Sequence, residues 1–176
     1  ILLCDRELSR TGNRLLGGVA RANTEFCGLC QGDHDPADGQ LRPLMRTDSE
    51  ALLLRGVETA QAAFGDFCAA VGWTPDGIHK TFCHQVGRAH QKLLFESLGL
   101  HPAIDFTTLQ TLGNTGAVAL PLTAAIGIEQ GHLQKGDHVA LLGIGSGINV
   151  LMLGVEWRKS LVHKPYPSHA PAAAHS

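Results

Sequence analysis

Apolar residues fall most clearly into helical order between Ser49 and Val71. Leu53, Val57, Ala60, Phe64, Phe67 and Val71 recur about one turn apart, and Gly72 supplies a stop, which predicts a helix over Ser49–Val71. The same reading predicts a second helix over Arg88–Leu98, closed by Gly99, and a third over Gly116–Gln130. Pro121 falls in the first turns of the third, where a missing amide hydrogen does least harm. Strands are predicted at Ile1–Cys4, Leu15–Arg21, Ile78–His84, Asp105–Leu109, Asp137–Gly143 and Ile148–Trp157. Gly17 and Gly18 weaken the second of these, and polar turns punctuate the chain at Ser9–Asn13 and Trp73–Gly77. Val139–Leu142 and Val150–Leu153 are apolar on both strand faces, as expected of strands lying between two covering layers. Strands alternating with helices predict a layered α/β fold.

Two stretches break the pattern. From Asn23 to Thr47, Gly, Asp, Pro and Arg are interspersed without a period, which predicts a long surface loop. Such a length is uncommon in a compact domain unless the loop has a function. From Arg158 onward Pro, Ala, Ser and His dominate, so a domain over 1–157 is expected to end in a disordered tail over 158–176.

Composition narrows the function classes. The chain has 176 residues, 44% hydrophobic and 17% charged, which suits one globular domain with a real core. A net charge of −2 with no basic stripe leaves nothing to neutralise phosphates, so a nucleic-acid partner is not expected. No apolar run approaches the roughly 20 residues of a membrane span. Five irregularly spaced cysteines suggest reduced thiols and a cytoplasmic protein. The chain opens without methionine, inside the apolar run Ile1-Leu2-Leu3-Cys4, and reads as the C-terminal half of an enzyme.

The candidate chemistry lies in two short motifs, His84-Gln85-Val86-Gly87 and Gly113-Asn114-Thr115-Gly116. Each is predicted at a strand-to-helix junction, the place where layered α/β proteins gather ligands. One supplies an imidazole and the other a carboxamide, and two such donors can converge on a thioester carbonyl. Taken singly, His84 has an ordinary structural reading and Gly-Asn is a common turn pair. Their joint placement is what favours function.

No nucleophile accompanies them. Cys83 adjoins His84, but successive side chains on a strand point to opposite faces, so Cys83 reads as a small core residue. Cys4 and Cys68 sit in apolar stretches and read the same way. Cys27-Gly28-Leu29-Cys30 with His34 gives three ligands where a structural zinc takes four, and no metal is expected. Gly143-Ile144-Gly145-Ser146-Gly147 precedes a strand rather than a helix, so it is read as a hairpin and not as a nucleotide loop. Arg88 and Lys92, at the start of the second helix, are candidates for phosphate contact, although a solvated helix face explains them nearly as well. Phe64, Phe67, Phe82 and Phe95 are read as core, with an acyl tunnel as the alternative.

The two motifs, together with Ile144-Gly145-Ser146-Gly147, resemble the C-terminal half of the thiolase-fold condensing enzymes, nearest to the β-ketoacyl-acyl carrier protein synthase III type. Cys83–Gly87, Leu141–Asn149 and Gly154-Val155-Glu156-Trp157 look like its olefin-biosynthesis branch, which joins two fatty acyl-CoA chains head to head. The resemblance runs from about Ile1 to Trp157. It implies an αβαβα core built from two similar halves, this one contributing a mixed sheet covered by helices. It also implies a Cys–His–Asn site, with the cysteine on the absent N-terminal half. His84 and Asn114 would then donate to the oxygen of the second thioester. Gly145, Ser146 and Gly147 would sit at the oxyanion site through their backbone. The implied substrates are acyl-CoA or acyl carrier protein thioesters, carried on coenzyme A or phosphopantetheine, with no tightly bound cofactor. The implied partners are the N-terminal half of the same enzyme and a second subunit in a homodimer.

Further expectations qualify this picture. In the synthase III branch the carbanion arises by decarboxylation of a malonyl group. In the olefin branch a Glu from the other half of the neighbouring subunit removes the α-proton. The arginine of the synthase III pattern falls one residue after Arg88, where this chain has Ala89. This chain alone is expected to be inactive, and a non-catalytic binding half is the rival from another class.

Overall fold

A computed structural model describes residues 2–35 and 42–162, with side chains described except at 33–35 and 42–44. Its centre is a four-stranded mixed sheet formed by β1 (Arg14–Ala22), β4 (Lys80–Cys83), β5 (His138–Gly145) and β6 (Asn149–Glu156), in the order β1-β6-β5-β4. β1 and β5 both run antiparallel to β6, whereas β4 and β5 are parallel. A parallel pair requires a crossover, here supplied by α2 (Arg88–Leu98), α3 (Leu109–Leu112) and α4 (Ala119–Glu129). α1 is the predicted helix, Ser49–Val71. Its first turn is capped by Asp48, whose carboxylate accepts from the Ala51 amide at 3.0 Å. Asp48→Ala is expected to cost about 1 kcal/mol, read as a lower denaturant midpoint at unchanged slope.

Alternation along β5 sorts the core into two layers. Ala140 and Leu142 join Val57, Phe64 and Phe67 of α1 and Leu94, Phe95 and Leu98 of α2 in one cluster. Val139 and Leu141 face the other way, with Phe82 of β4 and Leu120, Ala124 and Ile128 of α4. The four phenylalanines read as core are all buried. Gly17 and Gly18 do not break β1. A Cβ on Gly17 would stand 3.3 Å from the Ala70 carbonyl, so glycine lets the end of α1 lie close on this strand.

Several expectations need correction. Leu2–Cys4 form no strand and are exposed, because no described strand pairs with them, and Ile1 lies outside the described residues. Cys4 is therefore exposed rather than core, and Cys68 is only half-buried. The segment Asn23–Thr47 is not a structureless loop. It holds a 3-10 turn, Thr24–Leu29, and an antiparallel ribbon of β2 (Cys30–Asp35) and β3 (Arg42–Thr47). Cross-strand hydrogen bonds satisfy that backbone without an apolar face, so no hydrophobic period marked it. Asp105–Leu109 is not a strand either. Asp105 makes one isolated parallel bridge to Thr81, and the chain then turns into α3.

Covering is also incomplete on one side. Leu151 of β6 is 49% exposed and Leu15 of β1 46% exposed, so the strands are not covered on both faces throughout. Val118 and Leu122, at and just before α4, are exposed as well. Beyond the sheet, Arg158 and Lys159 donate their amides to the Asn13 side chain, and the Trp157 indole donates to Ser160. The rest of the predicted tail, 163–176, lies outside the described residues.

Candidate active site

β4 ends at Cys83, and His84 is the first residue past its edge. The His84 amide still donates to the Leu142 carbonyl at 3.0 Å, so the parallel ladder with β5 fixes where its side chain begins. Strict strand alternation stops one residue short of His84 and does not decide its direction. The imidazole is half-buried and lines a small cleft with His90, Leu142, Gly143 and Ile144. Burial pushes its pKa below the usual histidine value. At neutral pH it is an uncharged imidazole that can donate one N–H. Cys83 itself is buried beside Asp105, and burial drives its thiol well above the ordinary value. A protonated, enclosed thiol is a poor nucleophile, in keeping with its reading as core.

Asn114 sits elsewhere in the local structure than expected. It follows α3 and precedes a 3-10 turn, Gly116–Val118, rather than joining a strand to a helix. Its side-chain oxygen accepts from the Gly116 amide at 2.9 Å, which pins the carboxamide plane. The Nδ2 hydrogens have no partner among the described residues and the side chain is exposed. The available chemistry is therefore a fixed amide donor.

The glycine loop closes the β5–β6 hairpin as predicted. Gly145 and Ser146 are exposed, and the Asn149 side chain donates to the Ser146 carbonyl at 3.0 Å. Gly147 has φ 137, a conformation side-chain-bearing residues rarely adopt, and a Cβ there would run into the Asn149 carboxamide. The loop is also braced from a direction not apparent in the sequence. Asn23 and Ile148 exchange backbone hydrogen bonds of 2.7 and 2.9 Å. The Cys30 thiol, at the base of the β2–β3 ribbon, is pulled below its usual value by the Ser146 and Thr47 hydroxyls. The segment Asn23–Thr47 thus touches the glycine hairpin.

Arg88 and Lys92 are exposed on α2, whose N-cap, Gly87, offers no side-chain cap to the first amides. Lys92 lies 3.9 Å from Glu96 on the solvent face, so it is already turned toward a carboxylate. Among the described residues no three His, Cys, Asp or Glu side chains converge as metal ligands.

The chain as a whole matches known proteins. Residues 68–157 match the family of the 3-oxoacyl-[acyl-carrier-protein] synthase III C-terminal region. An acyl-CoA:acyl-CoA alkyltransferase from Shewanella oneidensis is 40% identical over 161 residues, covering 89% of this chain and 46% of the relative. A crystal structure of an OleA variant from Xanthomonas campestris, holding lauric acid and lauroyl-CoA, has a TM-score of 0.77 at 37% identity, covering 86% of this chain and 43% of its own. The 3-oxoacyl-(acyl carrier protein) synthase III FabH of Xanthomonas oryzae gives 0.76 at 38%, with coverage of 86% and 43%. The chain spans about half the length of the curated relatives it matches.

Proposed function

Because the chain belongs to the 3-oxoacyl-[acyl-carrier-protein] synthase III C-terminal family, with the thiolase-like α/β fold of OleA and FabH, we propose that it is the C-terminal half of an acyl-thioester condensing enzyme. In this reading the enzyme joins two fatty acyl-CoA chains into a β-keto acid. The observation that carries it is the 40% identity to an acyl-CoA:acyl-CoA alkyltransferase, in a chain that also carries a neutral, half-buried His84 and an Asn114 amide whose oxygen is held by the Gly116 amide.

The residues would act as follows. A cysteine on the N-terminal half takes the first acyl group as a thioester, breaking the acyl-CoA thioester and releasing coenzyme A as its thiol. His84 and Asn114 donate to the carbonyl oxygen of the second acyl thioester, lowering the energy of the enolate that forms when a glutamate from the other half of the neighbouring subunit takes its α-proton. The α-carbon attacks the acyl-cysteine carbonyl, the new carbon–carbon bond forms, and the cysteine thiolate departs; water then cleaves the remaining thioester, releasing coenzyme A and the β-keto acid. Backbone amides around Gly145, Ser146 and Gly147 would help hold the developing oxyanion. Arg88, beside the uncapped amides of α2, would meet phosphates of the coenzyme A carrier, with Lys92 in a lesser role. The N-terminal half would cover the apolar surface left open at Leu15, Leu151, Val118 and Leu122, and the complete enzyme would be a cytoplasmic homodimer.

A second reading, a decarboxylating synthase III, is favoured by the 38% identity to the FabH of Xanthomonas oryzae. One experiment separates the two. The full-length protein is incubated with a long-chain acyl-CoA and no malonyl donor, and its intact mass and products are followed. An acyl adduct that proceeds to a β-keto acid or its ketone is the expected result. Turnover that begins only when malonyl-acyl carrier protein is added would transfer the assignment to the synthase III reading. Absence of an adduct with any donor would leave a non-catalytic binding half as the better description.

A further inference from the structure

We propose that Gln85 is a positioning residue that couples the His84 arm of the site to the Asn114 arm, an inference that rests on the condensing role given to those two residues. The problem it solves is local. Beyond Asp105, which makes only an isolated bridge to Thr81, the chain that leads to Asn114 belongs to no sheet. Past the Phe106 amide, which donates to the Thr81 carbonyl at 3.2 Å, hydrogen bonds to side chains hold it.

Gln85 is 4% exposed, and its carboxamide is used at both ends. Its Oε1 accepts from the Thr107 hydroxyl at 2.6 Å and from the Thr108 amide at 3.3 Å. Its Nε2 donates to the Cys83 carbonyl at 2.8 Å, which fixes the carboxamide against the strand end immediately before His84. Thr108 extends the tie to α4 through a 2.6 Å contact with the Thr123 hydroxyl. The segment so anchored runs through α3 directly into Gly113 and Asn114. A buried amide with both ends engaged is a costly group to disturb, because each orphaned partner loses its hydrogen bond away from water. Gln85 therefore sets the distance at which an imidazole and a carboxamide can address one oxygen. A misplacement of about 1 Å is enough to cost roughly 100-fold in rate.

The test separates the two half-reactions in the full-length enzyme. Acylation of the cysteine does not use the His84–Asn114 pair, whereas condensation does. Gln85→Ala is expected to acylate near the wild-type rate and to condense roughly 10- to 100-fold more slowly. Gln85→Glu guards against a variant that merely folds poorly. Its ionised carboxylate accepts from Thr107 and Thr108 but has no hydrogen for the Cys83 carbonyl. The neutral acid replaces that donor, so condensation by Gln85→Glu should recover toward wild type as pH falls from 8 to 6, while Gln85→Ala stays slow. Lys80 and Cys83 of β4, His84, His90 of α2 and Asp105 are among the titratable groups on the elements packed here, and dividing each rate by the wild-type rate at the same pH removes their contribution. Gln85→Glu condensing like wild type at pH 8, or losing acylation in step with condensation, overturns the inference alone. A wild-type enzyme that acylates but never condenses overturns the assigned function of the pair, and the inference with it.

Discussion

His84→Ala, made in the full-length enzyme, is expected to leave the acyl adduct intact and to slow condensation by roughly 100- to 1000-fold. Under the proposed role, the size follows from the loss of one donor aimed at a developing negative charge from a half-buried position, where a hydrogen bond counts for more than it does in water. The split between half-reactions follows from placement. His84 is fixed by the β4–β5 ladder and borders a cleft with Gly143 and Ile144. In the proposed reaction the attacking thiol comes from elsewhere, since Cys83 is buried and its thiol is pushed well above its ordinary value. Burial keeps the imidazole neutral at pH 7, so the lost donor is an uncharged N–H. Quenched intact-mass time courses read both steps in one sample. Acylation collapsing together with condensation would mean that His84 serves the nucleophile instead, and the division of roles would have to be redrawn.

The sequence disclosed those features that repeat or that carry a strong local signal. Ser49–Val71 and Arg88–Leu98 repeat apolar residues over several turns and end in Gly72 and Gly99, both left-handed in the structure. The glycine hairpin was legible because an apolar strand flanks it on each side. The β2–β3 ribbon was not, since Cys30–Asp35 and Arg42–Thr47 carry no apolar alternation in their sequence. Nor was the true setting of Asn114. Asp105–Leu109 carries strand-like residues, but Asp105 uses its carboxylate to bind Thr81 and Gln91 rather than its backbone to extend a ladder. What joined the two motifs was hidden for the same reason. Gln85, Thr107 and Thr108 have no telling spacing, and only the fold brings them together.

Asp105→Asn is expected to stabilise the protein at pH 8 by about 1–3 kcal/mol, and to have little effect near pH 4. The Asp105 carboxyl is held mainly by burial at a pKa of about 6, against an ordinary 3.8. Hydrogen bonds from Thr81 at 2.8 Å and Gln91 at 2.6 Å favour the carboxylate but only partly offset that burial. A folded-state pKa above the unfolded one means that the folded protein binds the proton more tightly. The stability this group contributes is therefore complete below about pH 3.8 and is lost as pH rises through about 6. A difference of roughly two pKa units corresponds to about 3 kcal/mol as an upper bound. Asparagine keeps the shape without the charge, and the amide of Gln91 can turn over to accept from it, so the network survives the exchange. Paired melting curves of wild type and variant across pH 4–8 give the result as a gap that opens with rising pH. A constant gap, or a variant less stable than wild type at pH 8, would mean that the ionised carboxylate holds β4 to α2 more strongly than its burial penalises it.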